Sequence, residues 1–372
     1  MTTPDARDRL AAASTVVVKV GTAVLTNDSV QLDRAYLHDL AAHVAALCEG
    51  NARRVILVSS GAVGAGLGAM SRTDRPTDVT ELQAAAATGQ PLLMQYWHEA
   101  FGVRSLPVAQ ILVGRGDFDS RERYLNIRNC LSCLHDKGIV PIVNENDSVA
   151  TDEISLGDND VLAAKLAIAV RADALVVLTT VDGVLDEEGR TLRQVDDADA
   201  LLVHVRAERS RHGRGGMLTK VEAARLASQS GVDAIIAAGR PAETLPRLFR
   251  GEDIGTLVPA QAARHLGRRQ WISQTATPSG VLHVDAGAAR ALAERGASLL
   301  AKGITQITGR FGVGDVISIH DPNGREIARG LTNLSSDELR VVQGRNSAEF
   351  EELLGRRAHE EAVHRDNLAI TI

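Results

Sequence analysis

The chain has 372 residues, of which 44% are apolar and 24% charged, with a net charge of −6. That length predicts a large core shared between two or three domains, and the composition is that of a soluble globular protein. A net negative charge argues against nucleic acid as the main partner, and no apolar run approaches the ~20 residues of a membrane span. The opening residues MTTPDARDRLAAAS hold no apolar signal segment, so a cytoplasmic location is expected.

Taken in order, residues 15–20 form an apolar, strand-like run ending in Lys19-Val20-Gly21-Thr22. Residues 34–49 read as a helix with Tyr36, Leu37, Leu40, Val44 and Leu47 inward, stopped by Gly50-Asn51. A second buried strand at 55–58 runs into a glycine-rich turn, SSGAVGAG, and then a helix. Asp78-Val79-Thr80-Glu81 resembles a capping box for a helix containing residues 82–88, which Pro91 is expected to break or kink. Further strands are read at 108–113, 139–143, 174–178 and 234–237. Strands alternating with helices predict an α/β domain, a mostly parallel sheet covered by helices on both faces.

Residues 121–137 have the pattern of an amphipathic helix, with Tyr124, Leu125, Ile127, Leu131 and Leu134 on one stripe. It carries Cys130 and Cys133, a C-x-x-C spacing. No second Cys or His pair completes a zinc site, so these are read as buried structural thiols in a reducing compartment. The α/β pattern fades near Leu257, and residues 259–277 read as a linker. Short β-type runs follow at 281–284, 304–307, 316–320, 326–330 and 339–342, with a helix at 286–295. The expected organisation is an α/β domain over 1–258, a linker over 259–277 and a small, mainly β barrel over 278–372.

Three stretches suit phosphate chemistry. Lys19 lies near a strand end, where Gly21 lets a phosphate approach the backbone. In residues 59–68, glycines 61, 64, 66 and 68 would leave backbone N–H groups free before a helix N-terminus. Gly64-x-Gly66-x-x-Ala69 lacks the following strand and acidic residue of a dinucleotide fingerprint, and no Gly-x-x-x-x-Gly-Lys-[Ser/Thr] loop is present. Residues 212–220, HGRGGMLTK, put glycines and Lys220 before a helix read at 221–230, an arrangement that favours an anion over helix stability. The fourth stretch is PIVNENDSVATDEISLGDND at 141–160, with six acidic residues, no Lys or Arg, and interleaved Asn144, Asn146, Gly157 and Asn159. It follows a strand, where open α/β sheets bind ligands. Two lysines on glycine loops with an acidic loop make a phosphoryl-transfer set. The lysines would neutralise charge on the transferred group, and the acids would orient those lysines, Mg²⁺ or a substrate amine.

Together these residues resemble the glutamate 5-kinases of the proline pathway, within the amino acid kinase superfamily. The resemblance rests on VVVKVGTAVLT (16–26), ILVSSGAVGAG (56–66), AAATGQ (85–90), YLNIRN (124–129), VPIVNENDSVA (140–150), LGDND (156–160), GRGGMLTK (213–220) and IIAAG (235–239). RGASLLAKGI (295–304) and AVHRDN (362–367) resemble the same enzymes' C-terminal PUA domain. It implies ATP and Mg²⁺ as cofactors, phosphorylation of the γ-carboxylate of L-glutamate, and feedback inhibition by proline. By motif position it implies catalytic roles for Lys19, Lys220 and Asp160, and glutamate binding by Ser60, Asn144, Asp147, Asp158 and Asn159. The nucleotide side would comprise Lys19, Gly21, Thr179, Thr180, Gly215, Gly216, Met217 and Lys220; metal ligands are not assigned. A homo-oligomer and coupling to the next enzyme of the proline pathway are further expectations.

The chain departs from the family at Ala23 (usually Ser), Thr180 (Asp), Arg214 (Thr) and Leu218 (small and polar), all around the nucleotide side. A glutamate side chain, with a pKa near ~4.3, is already an ionised nucleophile at neutral pH, so no general base is required. Rival readings are a kinase for N-acetylglutamate, aspartate, carbamate or UMP, and an RNA-binding protein acting through the β domain. Residues 278–372 hold 11 Lys and Arg against 13 Asp and Glu, which argues against RNA.

Overall fold

The computed structural model describes residues 5–27, 31–49, 52–72, 74–149, 158–202, 205, 216–261, 272, 277–346, 349–355 and 359–371. Two compact units emerge: residues 1–115 with 126–264, and residues 116–125 with 265–372. Of the segment read as a linker, only residues 259–261, 272 and 277 are described.

In chain order the elements up to residue 258 begin with α1 (Ala6–Ala11), β1 (Thr15–Val20), α2 (Thr22–Leu25), α3 (Arg34–Cys48) and β2 (Arg54–Ser59). Next come α4 (Ala62–Ala69), α5 (Val79–Gly102), β3 (Val108–Val113), α6 (Arg121–Asp136) and β4 (Val140–Glu145). The last are α7 (Asp158–Val170), β5 (Ala174–Thr179), α8 (Gly216–Gln229), β6 (Asp233–Ala238), α9 (Thr244–Leu248) and β7 (Thr256–Val258). The seven strands form one sheet in the order β3-β4-β2-β1-β5-β6-β7. All pair in parallel except β7, which runs antiparallel to β6.

The β-branched runs TVVVKV, RVILVS and ALVVLT are buried along nearly their whole length, as central parallel strands are. Strand alternation then sorts β1. Val16, Val18 and Val20 pack into a core with Leu37, Leu40 and Val44 of α3 and Trp97 and Phe101 of α5. Val17 and Lys19 face the opposite side, where α7 packs on β1. Each buried Val or Leu contributes about 1.5–3 kcal/mol. This surplus lets the sheet carry one lysine, Lys19, at 3% exposure.

The structure departs from several of these expectations. Helix α5 runs unbroken through Pro91. Pro91 and Ala87, whose carbonyl it fails to pair with, lie on the exposed face, and the burial of Ala85, Ala86, Leu93 and Trp97 holds the helix on both sides. The glycine-rich stretch after β2 is mostly helix α4, not a loop: Gly61 alone turns the chain, at φ 111°, and Ala65 N donates to Gly61 O. Within that helix Gly66 serves packing, whereas Gly68 faces open space. A Cβ on Gly66 would sit 1.8 Å from Ala85 O, and one on Gly89 would sit 1.9 Å from Ala62 O, so α4 and α5 touch backbone to backbone. Strand β4 extends to Glu145, so Asn144 and Glu145 belong to the sheet. Cys130 and Cys133 are exposed, one position off the inward stripe that holds fully buried Leu131.

Beyond residue 277 the elements are β8 (Gly280–Val284), α10 (Ala286–Arg295), β9 (Leu299–Leu300), β10 (Ile304–Gly309), β11 (Val316–His320) and β12 (Glu326–Leu331). They are followed by α11 (Ser336–Val342), α12 (Phe350–Leu354), β13 (Glu361–Val363) and β14 (Leu368–Ile370). The expected small barrel is a five-stranded sheet, β10-β8-β11-β12-β14, beside a two-stranded ladder of β13 and β9. Among the described strands of this unit only β8 and β11 pair in parallel. The run 339–342, read as a strand, is the end of helix α11. Ser335 and Glu338 close a full capping box that starts a helix there, and Leu339 and Val342, three apart, share its buried face. Among the described residues no helix is long and apolar enough to cross a membrane.

Candidate active site

The carboxyl ends of β1, β2, β4 and β5 open on one edge of the sheet, and both sides of central β1 contribute. Lys19, the penultimate residue of β1, reaches the first turn of α7, where its Nζ lies 2.6 Å from Asp160 Oδ1. The other Asp160 oxygen, Oδ2, accepts from Lys220 Nζ at 3.0 Å and from Thr219 Oγ1 at 2.8 Å. One carboxylate therefore bridges two ammonium groups that stand 201 positions apart in sequence, joined because α7 and α8 pack side by side. The side chain of Asp160 is fully buried, that of Lys19 is 4% exposed and that of Lys220 13%.

Helix α8 begins at Gly216, earlier than the sequence pattern suggests, so Lys220 is its fifth residue. Its Nζ folds back to donate to Gly216 O at 2.9 Å. Asp160 thus compensates the positive charge crowded at this helix start. The φ of Gly21, −78°, is open to any residue, but a Cβ there would lie 3.3 Å from Lys19 Nζ and press on the ammonium group.

The triad carries one net positive charge. Burial alone would raise the Asp160 pKa, but Lys19, Lys220 and the Thr219 hydroxyl outweigh it and hold the carboxyl below its ordinary range. For Lys19, loss of hydration draws the pKa down, against the pull of Asp160. Ionised Asp160 between two cations is a preset anchor that fixes both lysines before a ligand arrives.

A second, neutral network adjoins it. Asn159 Nδ2 donates to Ser60 Oγ at 3.0 Å and to Asn144 Oδ1 at 2.9 Å. Asn144 Nδ2 donates to Gln90 Oε1 at 2.9 Å. Asn159 Oδ1 is buried and unpaired among the described residues, an acceptor for a ligand N–H or O–H. Gln90 reaches Asn144 because Gly89 presses α5 onto α4. Ser59 Oγ accepts from the buried Trp97 Nε1 at 2.9 Å, which fixes the residue before Ser60.

The structure therefore brings Lys19, Lys220, Asp160, Ser60, Asn144 and Asn159 into two touching clusters, with Gly21 beside the first. Asp147 opens a 3-10 turn (Asp147–Val149) just after β4 and is half-buried. Asp158 starts α7, and its side chain, like all of Gly215, lies outside the described residues. Thr179 ends β5 and is buried, Thr180 beyond it is exposed, and Met217 is half-buried in the first turn of α8. Thr219 and Gln90 escaped the sequence reading as site residues. Both stand within matched segments, beside Lys220 and Gly89, but only the tertiary contacts give them a task. Among the described residues no three His, Cys, Asp or Glu side chains converge as a metal site.

The amino acid kinase family pattern matches residues 14–238, and the PUA domain pattern matches residues 280–354. The chain is 45% identical to the glutamate 5-kinase of Paraburkholderia phytofirmans over 371 residues, covering 98% of this chain and 100% of that protein. It is 43% identical to a glutamate 5-kinase of Thermus thermophilus, covering 96% and 97%. It is 44% identical to that of Chromohalobacter salexigens, covering 98% of both. A buried lysine–aspartate–lysine bridge at the carboxyl edge of a parallel sheet, in a chain matched end to end by such relatives, makes this protein a member of the amino acid kinase family, among its glutamate 5-kinases.

Proposed function

We propose that this chain transfers the γ-phosphoryl group of ATP to the γ-carboxylate of L-glutamate, forming L-glutamyl 5-phosphate, the first step of proline biosynthesis. The observation that carries the reading is the Lys19–Asp160–Lys220 bridge. Phosphoryl transfer to a carboxylate needs no proton abstraction; it needs two anions held in line and the charge on the moving group neutralised. Lys19 and Lys220 supply the positive charge, and Asp160 holds them at fixed separation. Gly21, Thr179, Thr180, Gly215, Gly216 and Met217 would border the nucleotide.

On the acceptor side, Ser60, Asn144 and Asn159 offer hydroxyl and amide groups, with Asp147 and Asp158 as partners for the α-amine of glutamate. The unpaired Asn159 Oδ1 suits that amine. Mg²⁺ would enter with the nucleotide, since phosphate oxygens and water are its usual ligands in such sites. Proline carries the same α-carboxylate and cationic amine without a γ-carboxylate, so it would compete in the glutamate pocket. A homo-oligomer acting in the cytoplasm, coupled to the next enzyme of the pathway, completes the reading.

ATP turnover measured with glutamate, N-acetylglutamate, aspartate and no acceptor tests it. Glutamate alone should stimulate turnover, and equal stimulation by N-acetylglutamate or aspartate would shift the assignment to another acceptor. Lys220→Ala should lower kcat by about 10²-fold or more with little change in glutamate KM, the pattern of a charge aimed at the transition state. Titrating proline with and without saturating glutamate should show mutual exclusion; unchanged proline affinity would place inhibition elsewhere.

A further inference from the structure

Thr15 and Arg54 are register partners at the first residues of β1 and β2, at the end of the sheet opposite Lys19 and Ser60. Beside them lies a cleft of about 460 Å³ bordered by Arg54, Arg128, Asn129, Ser132, His135 and Arg171. Arg128, Ser132 and His135 follow at i, i+4 and i+7 along α6, so they share one stripe of that helix. Arg171 comes in from α7, just past its last residue.

Arg171 occupies an expensive position. Its φ is 56°, the left-handed region that glycine enters freely and a side chain resists. Arg171 N donates to Ile168 O and Ala172 N to Ala167 O, the helix-ending turn that glycine ordinarily makes. Neither Arg128 nor Arg171 has a side-chain hydrogen bond or ion pair among the described residues. The neighbouring carboxylates are already engaged. Asp136 pairs with Arg54 at 3.1 Å, and Asp173 Oδ2 accepts from Ser14 N, Ser14 Oγ and Thr15 N. His135 adds no charge, because burial holds its pKa below the ordinary histidine value while its Nε2 lies 3.2 Å from Val55 O.

Three guanidinium groups thus border one cleft of a protein whose net charge is −6, and two of them serve no partner among the described residues. We propose that this cleft binds a small phosphate-bearing anion at a site separate from the lysine bridge. The planar fork of a guanidinium matches two phosphate oxygens, and three forks suit a ligand with more than one anionic group. Ser132 and Asn129 supply neutral donors between them. The ligand would bear on the catalytic edge through α7. That helix of 13 residues, about 20 Å long, has Arg171 beyond one end and Asn159 and Asp160 in the first turn of the other.

Hydrogen-exchange mass spectrometry on the full chain tests this, with inorganic pyrophosphate and AMP as separate arms. Pyrophosphate or AMP should slow exchange in residues 128–136 and 169–173 saturably, and added salt should weaken the effect. Protection by pyrophosphate alone would mark an inorganic polyphosphate site; protection by AMP would mark a nucleotide-type ligand. In the Arg128→Gln, Arg171→Gly variant, the half-saturating concentration should rise by at least about tenfold, because charge-assisted bonds are lost. Glycine suits the backbone at 171, so this variant should stay folded, and protection of residues 216–220 by pyrophosphate should persist. No protection of 128–136 and 169–173 by either anion, or equal protection in the variant, overturns the proposal.

Discussion

Replacing Asp160 by asparagine keeps the shape of the bridge and removes its one negative charge. The three side chains are nearly dry, so two ammonium groups would be left facing each other. Breaking a buried ion pair on one side costs roughly 3–5 kcal/mol, of which the amide's remaining hydrogen bonds return about 1 kcal/mol. The expected loss is about 2–4 kcal/mol, or about 5–15 °C in Tm for a domain of this size. Calorimetry and urea unfolding followed by circular dichroism would measure it.

The loss should depend on pH in a definite direction. Burial already draws the Lys19 pKa down, and without Asp160 it falls further. A lysine with a depressed folded pKa is fully tolerated above its unfolded value near ~10.4 and increasingly penalised as pH falls through the folded one. The deficit of Asp160→Asn should therefore shrink as pH rises from neutrality towards ~10. Its kcat should fall by about 10²–10³-fold, because the lysines are no longer aimed. A wild-type Tm, or a deficit of equal size at every pH, would refute the idea that Asp160 is the electrostatic anchor of the site.

Other expectations address packing, capping and the buried phenol. Gly66→Ala should destabilise by about 3 kcal/mol or more, since its methyl meets Ala85 O at 1.8 Å. Gly68→Ala, two residues on with open space around it, should instead stabilise by about 0.5–1 kcal/mol; urea midpoints compare the two. Ser335→Ala removes the capping box of α11 and should cost about 1 kcal/mol, read as loss of protection in residues 336–342 by hydrogen exchange. Tyr36 is buried, donates to Gly239 O at 2.7 Å, and has its pKa raised chiefly by that burial. Its raised pKa contributes stability that is complete below the unfolded value near ~10 and is lost as pH rises through the folded one. Tyr36→Phe should thus be the less stable form at neutral pH, with the gap narrowing above pH ~10. A gap that widens there would contradict this account.

Much of the architecture was legible from local pattern. The strands at Thr15–Val20 and Val108–Val113 and the helix at Ala286–Arg295 have their bounds written in β-branched runs, period and flanking turn residues. Local signals misled where two of them competed. Leu339-Arg340-Val341-Val342 is rich in strand formers, yet the capping box upstream decides for helix. Pro91 is a helix breaker by its own chemistry, and it is tolerated because it faces solvent on a helix otherwise anchored by burial.

By itself the sequence determined which residue types were available to the site and on which strand ends and helix starts they stood. It also determined the family, since NEND, GDND and GGM-x-TK stand in order along a chain matched over nearly its whole length. Only the tertiary structure decided how those groups pair. That Lys19 meets Asp160 depends on which face of β1 is covered by α7, and that Lys220 joins them depends on α8 packing against α7. The glycines after β2 look like a phosphate cradle in one dimension, but in three they lie mostly on helix α4, where Gly66 is the contact that seats α5, and with it Gln90, against the asparagine network. Spacing along the chain carries local periodicity; it does not carry the distance between two helices, and that distance is what joins two lysines to one carboxylate.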